Sequence, residues 1–378
     1  MSTVRNFFIN LPTNLGRGLR QKSPAFWFLR YVSAQRRIDM AKRRRIPMKQ
    51  ALTAGVAWVL LLFGGAWLLA PKPAQAQPEK TDTPTRQEEK NILKDSQSVL
   101  QVYDGEKTVK MTMAEYLPGV VRGEMPATFE EEALKAQAVA ERTYIYYNIQ
   151  GGRKRSHPDA DICMDYRCCN AWVSEERAKS NWGDNYEEYN RKILQSVEET
   201  DGQVMLYDGQ PILAAFHSSS AGVTAKSSDA WVSDRPYLVS VESPEGADAV
   251  PNYYSVNTFT PAEFREKILA AEPTAKLEGS PTGWVTDLQK NSSNRVESVT
   301  IGGVPLRGTR VRSILGLRSA CFTVECTESA ITFRVTGFGH GVGMSQYGAN
   351  TMAKEGKTWQ EILQWYYRGV SIETWKQT

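Results

Sequence analysis

Hydrophobic and polar positions divide the chain into four stretches. Positions 1–50 are polar and basic, and Ala51–Ala70 follows as twenty residues without a charge, about the ~30 Å that one helix needs to cross a bilayer. From Pro71 to about Gln97 the chain is rich in Pro, Gln, Thr, Glu and Lys without an apolar period, the composition of a solvated tether. Ser98–Thr378 then mixes strand and helix periods, and no internal repeat is visible. This pattern predicts a basic cytoplasmic segment (1–50), one transmembrane helix (51–70), a flexible linker (71–97) and one folded domain (98–378).

Within the domain, Val99–Tyr103 and Lys107–Met111 flank Asp104-Gly105, a hairpin signal with a two-residue turn. Thr112-x-x-Glu115 is a capping box that opens a short helix broken near Pro118-Gly119. Thr128-x-x-Glu131 is a second box, ahead of a helix over Glu132–Tyr144 with alanines at 133, 136 and 140. Strands are expected around Asp208-Gly209 within Leu206–Ser218, at Val239–Ser243, at Val296–Ile301 and at Ala330–Gly337. Helices are expected at Thr260–Ala271, Arg310–Leu315, Ser345–Lys354 and Trp359–Tyr367, the last behind Thr358-x-x-Glu361. Strands and helices mix without a regular βαβ rhythm, so the fold class is α+β, a single mixed domain behind one N-terminal membrane helix.

Charge adds an asymmetry. Of 46 Lys and Arg against 42 Asp and Glu, twelve basic residues and one acid fall in Met1–Gln50, leaving 34 basic and 41 acidic residues beyond. The main domain is mildly acidic, which argues against nucleic acid as a partner. Basic residues just before a single span hold the N-terminus in the cytoplasm and place the domain outside the cell membrane. A cleaved signal peptide, with Ala74-Gln75-Ala76 as its site, is the competing reading, but its n- and h-regions would be too long.

His157, Cys163, Cys168 and Cys169 fall within thirteen residues. Three thiolates and an imidazole make a closed tetrahedral zinc set; disulfides such as Cys163–Cys168 are the alternative. Cys321 and Cys326 form a small disulfide or act as apolar fillers. The run from Gly337 to Gly348 alternates glycine with period two; it is neither G-x-G-x-x-G nor G-x-S-x-G, so nucleotide binding and a hydrolase elbow are disfavoured. It requires a backbone that passes close to another strand or a ligand. A Ser-His site would have to use His217 beside Ser218–Ser220, or His340 near Ser345. Glu124, with Val120, Val121, Met125 and Pro126 around it, reads as a partly desolvated acid in a loop. Spacing alone does not select it among the acids.

Three segments together resemble the SpoIID/LytB domain family: Glu115-Tyr-Leu-Pro-Gly-Val-Val-Arg-Gly-Glu124-Met-Pro, Glu132-Ala-Leu-Lys-Ala-Gln-Ala-Val-Ala-Glu-Arg142-Thr-Tyr144, and Gly339-His-Gly-Val-Gly-Met-Ser-Gln-Tyr-Gly-Ala349. The resemblance covers Ser98–Ser371, in the family's order and behind a single anchor. It implies a lytic transglycosylase that cleaves MurNAc–GlcNAc bonds of peptidoglycan strands stripped of stem peptides, to 1,6-anhydro products, during sporulation engulfment. Glu124 falls on the family's catalytic glutamate, and Arg142, Lys226, Asp229, His340 and Ser345 on positions along the substrate groove. It also implies a structural zinc at His157, Cys163, Cys168 and Cys169, with histidine at the position of Cys168 in a relative, and no cofactor for the chemistry. Implied partners are stage II sporulation protein P, which removes stem peptides, and stage II sporulation protein M. The family's LytB branch supplies a rival, a non-catalytic amidase enhancer; a zinc hydrolase is a third reading.

Overall fold

The computed structural model describes Leu93–Lys376 apart from Arg155 and Val232. The basic segment, the apolar stretch at 51–70 and most of the linker lie outside the described residues. Among the described residues no helix is long and apolar enough to cross a membrane.

Strand β1 (Val99–Tyr103) pairs antiparallel with β2 (Thr108–Thr112). The turn is longer than the two residues expected, because Asp104 Oδ1 accepts from the N–H groups of Glu106 (2.9 Å) and Lys107 (2.8 Å) and closes a wider loop. The Thr112–Glu115 box forms and opens α1 (Met113–Glu124). This helix runs through Pro118 instead of breaking there. Tyr116, Leu117, Val120 and Val121 are fully buried on it, and that burial outweighs one missing ladder bond. Glu124 is therefore the last residue of a helix and not part of a loop.

Helix α2 (Glu131–Gly151) starts without the Thr128 box: Glu130 is the N-cap, and its N–H donates to Asn350 Oδ1 at 2.8 Å. It continues past Tyr144 because Ile145 and Tyr146 are still buried. Next come β3 (Ile162–Cys163), parallel to β1, and two helices that the pattern did not assign, α3 (Glu175–Trp182) and α4 (Tyr186–Glu198). Strand β4 (Gln203–Tyr207) turns at Asp208-Gly209, both with positive φ, into β5 (Gln210–Pro211), as expected. Short β6 (Phe216–His217) and α5 (Ser227–Ala230) follow. Val239–Ser243 is not a strand: it makes one bridge, Val223 to Glu242, and otherwise bonds to the loop around Thr224.

A second core is built from β7 (Tyr254–Phe259), α6 (Pro261–Ala271), β8 (Val285–Lys290), β9 (Val296–Ile301), β10 (Val304–Leu306), α7 (Gly308–Leu315), β11 (Phe322–Cys326) and β12 (Ile331–Thr336). Its sheets have orders β10-β9-β8 and β11-β12-β7, and Phe264, Leu277, Ile301, Val311, Phe322 and Phe333 fill it. Cys321 and Cys326 bound strand β11 and both are free thiols. Five extended residues span roughly 16 Å, too far for a disulfide. The chain then returns to the first core through β13 (Met344–Ser345), α8 (Gln346–Lys354), α9 (Trp359–Tyr366) and β14 (Ser371–Thr374). Strand β13 lies parallel to β6, and β14 antiparallel to β4.

Helix α2 is the axis of the first core. Its Ala133, Ala136, Ala138 and Ala140 are fully buried, and their small side chains let α1, α4, α8, α9 and β4 pack around it. The described residues show the mixed α+β class read from the pattern. The fold begins before Ser98: the Leu93 N–H donates to the Trp375 carbonyl at 3.0 Å, and Asp95 is buried against α2.

Candidate functional site

A cleft of about 340 Å³ is lined by Glu124, Tyr144, Tyr166, Cys169, Asn170, Trp231 and His340, with Leu213–Phe216 along one wall. Helix α1 delivers Glu124 at its C-terminal end. The Ala171 N–H donates to Glu124 Oε1 at 2.7 Å, and Gln346 Nε2, from the start of α8, donates to the Glu124 carbonyl at 2.8 Å. Gly123 makes the first bond possible, since a Cβ there would fall 2.7 Å from the Ala171 carbonyl oxygen. Burial raises the Glu124 pKa above its ordinary value, and the Ala171 N–H opposes the rise by stabilising the anion.

Behind Glu124 lies a second acid that sequence reasoning missed. Glu141, on α2, is fully buried and has no cationic partner among the described residues. Its carboxyl accepts from Gln137 Nε2 at 2.8 Å and from Asn170 Nδ2. Burial drives its pKa well up, and the nearby Glu124 carboxylate adds to this. Gln137 Oε1 and Asn170 Oδ1 are both buried without a partner. Asn170 and Ala171, adjacent in sequence, thus hold one carboxyl each. No spacing rule marks Glu141; only its burial reveals it.

Cys168 and Cys169 immediately precede this pair of residues. His157 Nε2 lies 3.4 Å from Cys169 Sγ, and the Cys168 and Cys169 sulfurs are 3.9 Å apart. The four ligand atoms of His157, Cys163, Cys168 and Cys169 all lie within 4.8 Å of one another. Tetrahedral zinc requires edges of about 3.8 Å between sulfurs and about 3.5 Å between sulfur and nitrogen, so the donor set fits. His157 Nδ1 faces the Ala160 carbonyl at 3.1 Å, which leaves Nε2 for a metal.

His340 shares the cleft with Glu124. Its ring centroid is 5.3 Å from that of Trp231 and 5.8 Å from that of His217. Burial, aided by Arg295 and Arg312, pushes its pKa down to about 4, so it is neutral at neutral pH. The other expected groove residues lie elsewhere. Ser345 is fully buried: its hydroxyl donates to Glu245 Oε1 at 2.5 Å and accepts from the Gly348 N–H, capping α8. Arg142 is fully buried too, paired with Asp95 at 2.8 and 2.6 Å and bonded to the Gln203 carbonyl. Both are structural, because their polar atoms are used inside the fold. Lys226 and Asp229 form an ion pair at 3.8 Å, and Asp229 also accepts from Asn291 Nδ2. Neither lines the cleft, although Trp231, close by in sequence, does.

Comparison with known proteins shows the family. The family profile described as "Stage II sporulation protein" matches residues 103–207. Stage II sporulation protein D of Bacillus subtilis (strain 168) is 39% identical over 337 residues, 86% of this chain and 96% of that protein. Its counterpart from Bacillus amyloliquefaciens is 37% identical over 283 residues, 74% and 80% of the two chains. A protein named "Amidase enhancer", also from Bacillus subtilis, is 26% identical over 310 residues, 68% of this chain and 40% of its own length. With Glu124 at a cleft it shares with His340, and relatives of this identity along most of its length, the chain belongs to the stage II sporulation protein D (SpoIID) family.

Proposed function

We propose that the chain is a cell-wall enzyme of sporulation, a membrane-anchored lytic transglycosylase acting on peptide-free peptidoglycan glycan. One observation carries the reading: among the described residues Glu124 is the only acid lining an aromatic-walled cleft, and burial keeps its proton to higher pH than usual. Ordinary glycosidases need two carboxyl groups flanking the bond. Glu141 cannot serve as the second, since it lies fully buried behind Asn170. A single acid suffices when the nucleophile belongs to the substrate. Glu124 protonates the glycosidic oxygen leaving C1 of MurNAc, then takes the proton of the same sugar's C6 hydroxyl as it closes the 1,6-anhydro ring. The tethered hydroxyl gives the proximity advantage of an intramolecular attack. Trp231, Tyr144 and Tyr166 line the cleft and supply the aromatic surface for the sugars.

Zinc, held by His157, Cys163, Cys168 and Cys169, would supply a closed four-ligand structural centre with no open position for substrate. The residues it would steady are Asn170 and Ala171, hence the N–H on Glu124. The anchor belongs to this proposal, with the span at 51–70 and the N-terminus in the cytoplasm; so do stage II sporulation proteins P and M as partners.

The relative named "Amidase enhancer" favours a second reading, a wall-binding activator without chemistry of its own. Mass spectrometry of products from the purified protein and peptide-free glycan separates the two. Anhydro ends that vanish in Glu124→Gln support the transglycosylase; no release by the wild type, with acceleration of a partner amidase, supports the activator.

A further inference from the structure

Arg295 and Arg318 contact the glycine-rich turn, Arg312 lies close enough to act on His340 within it, and none of the three has a carboxylate partner among the described residues. Arg295 is 4% exposed, its Nε is buried without a partner, and its guanidinium lies so close to Gly341 that a Cβ there would fall 1.4 Å from Nη2. Arg312 is half-buried and among the described residues makes a single side-chain bond, Nε to the Leu317 carbonyl at 3.3 Å. The Arg318 guanidinium sits 4.0 Å from the ring centre of Phe338, which is 41% exposed, and its Nε is also buried and unpartnered. These groups come from the second core, and the turn they contact carries His340 into the cleft.

Arg295 and Arg312 repel each other: Arg295 lowers the pKa of Arg312 on top of the effect of burial. The fold tolerates this arrangement, and guanidinium is the side chain best matched to a carboxylate. Resting on the glycan reading above, we infer that Arg295, Arg312 and Arg318 form an anion subsite beside His340 that takes a carboxylate of the sugar chain. In peptidoglycan glycan that group is the lactyl carboxylate of MurNAc, which is free only after the stem peptide has been removed. The cluster thereby supplies a selection for peptide-free strands: an amide at the same position carries no charge, and a peptide adds bulk.

The test uses the full-length chain carrying Glu124→Gln, so that bound glycan is not consumed. Affinity is measured for peptide-free strands and for the same strands with their lactyl carboxylates converted to neutral methylamides. Neutralisation is expected to weaken binding about 10- to 100-fold, the range for hydrogen bonds to a charged group. Arg312→Gln and Arg318→Gln should each weaken binding of native strands and leave the methylamide strands unaffected; Arg312→Lys, which keeps the charge, should recover part of the loss. Thermal melts select the variants that fold. Equal affinity of the parent for both strands, or variants that weaken both strands alike, overturns the anion subsite alone. Binding of neither strand overturns the glycan reading beneath it.

Discussion

The Ala171 backbone N–H points at Glu124 Oε1 from 2.7 Å. Ala171 lies two residues after Cys169, and Asn170 between them holds Glu141. The cleft carboxyl, a buried second carboxyl and a metal-type donor set therefore meet on three consecutive residues.

Replacing Glu124 by Gln keeps the shape and removes the acid. Anhydro-product release should fall at least about 100-fold, the scale of positioned acid–base catalysis, while circular dichroism and melting stay near wild type. Wild-type turnover in this variant defeats the assignment.

With Glu124 as the proposed general acid, the reaction begins with it protonated, so its rate should fall as pH rises through the Glu124 pKa. Because burial raises that pKa, the fall is displaced upward from the ordinary carboxylate range. A pH–rate profile whose falling limb stays near the unperturbed value of 4.5 would contradict the desolvated setting.

Glu141 makes a separate prediction about stability. A carboxyl whose folded-state pKa is raised contributes stability that is complete below its unfolded pKa and lost as pH rises through the folded one. Glu141→Gln, neutral at every pH, should match wild-type stability at acid pH and exceed it increasingly toward alkaline pH. It should also keep activity, because the amide replaces a neutral acid. Glu141→Ala leaves Asn170 Nδ2 and Gln137 Nε2 unpaired and should cost about 2–5 kcal/mol in denaturant melts.

Removing metal tests the thiol cluster. If zinc is bound at a thousandfold excess over its dissociation constant, its loss costs about 4 kcal/mol, read as a drop in melting temperature on chelation. Activity and melting should fall together, and Cys163→Ser should mimic the chelator. Retained folding with lost turnover would instead favour catalytic metal.

Breaking the Arg142–Asp95 pair checks where Arg142 acts. Asp95→Ala strands a fully buried guanidinium and should destabilise by about 3–5 kcal/mol, with glycan affinity unchanged below the melting point.

These outcomes turn on what the linear pattern could and could not say. The capping boxes at Thr112 and Thr358 were legible because each joins residues three apart. Thr128 carries the same letters, yet a distant residue, Asn350, serves the start of α2 instead. The alternating glycines did mark close approach: Gly337, Gly339, Gly341 and Gly343 all have positive φ. Glu124 was reached through family resemblance, and the structure seats it in the cleft with His340. Arg142 and Ser345 misled because a motif records a residue's type but not the direction of its side chain, and both point inward. Glu141 and the arginine cluster were invisible for the complementary reason: burial and missing partners exist only once distant segments have packed.

The described chain enters and leaves the fold at one place. Leu93 bonds to Trp375, and Asp95 is clamped by Arg142 immediately after entry. If the N-terminus is anchored as proposed, a pull from that side would meet that hydrogen bond and the ion pair to the middle of α2 before the Ala171–Glu124 contact.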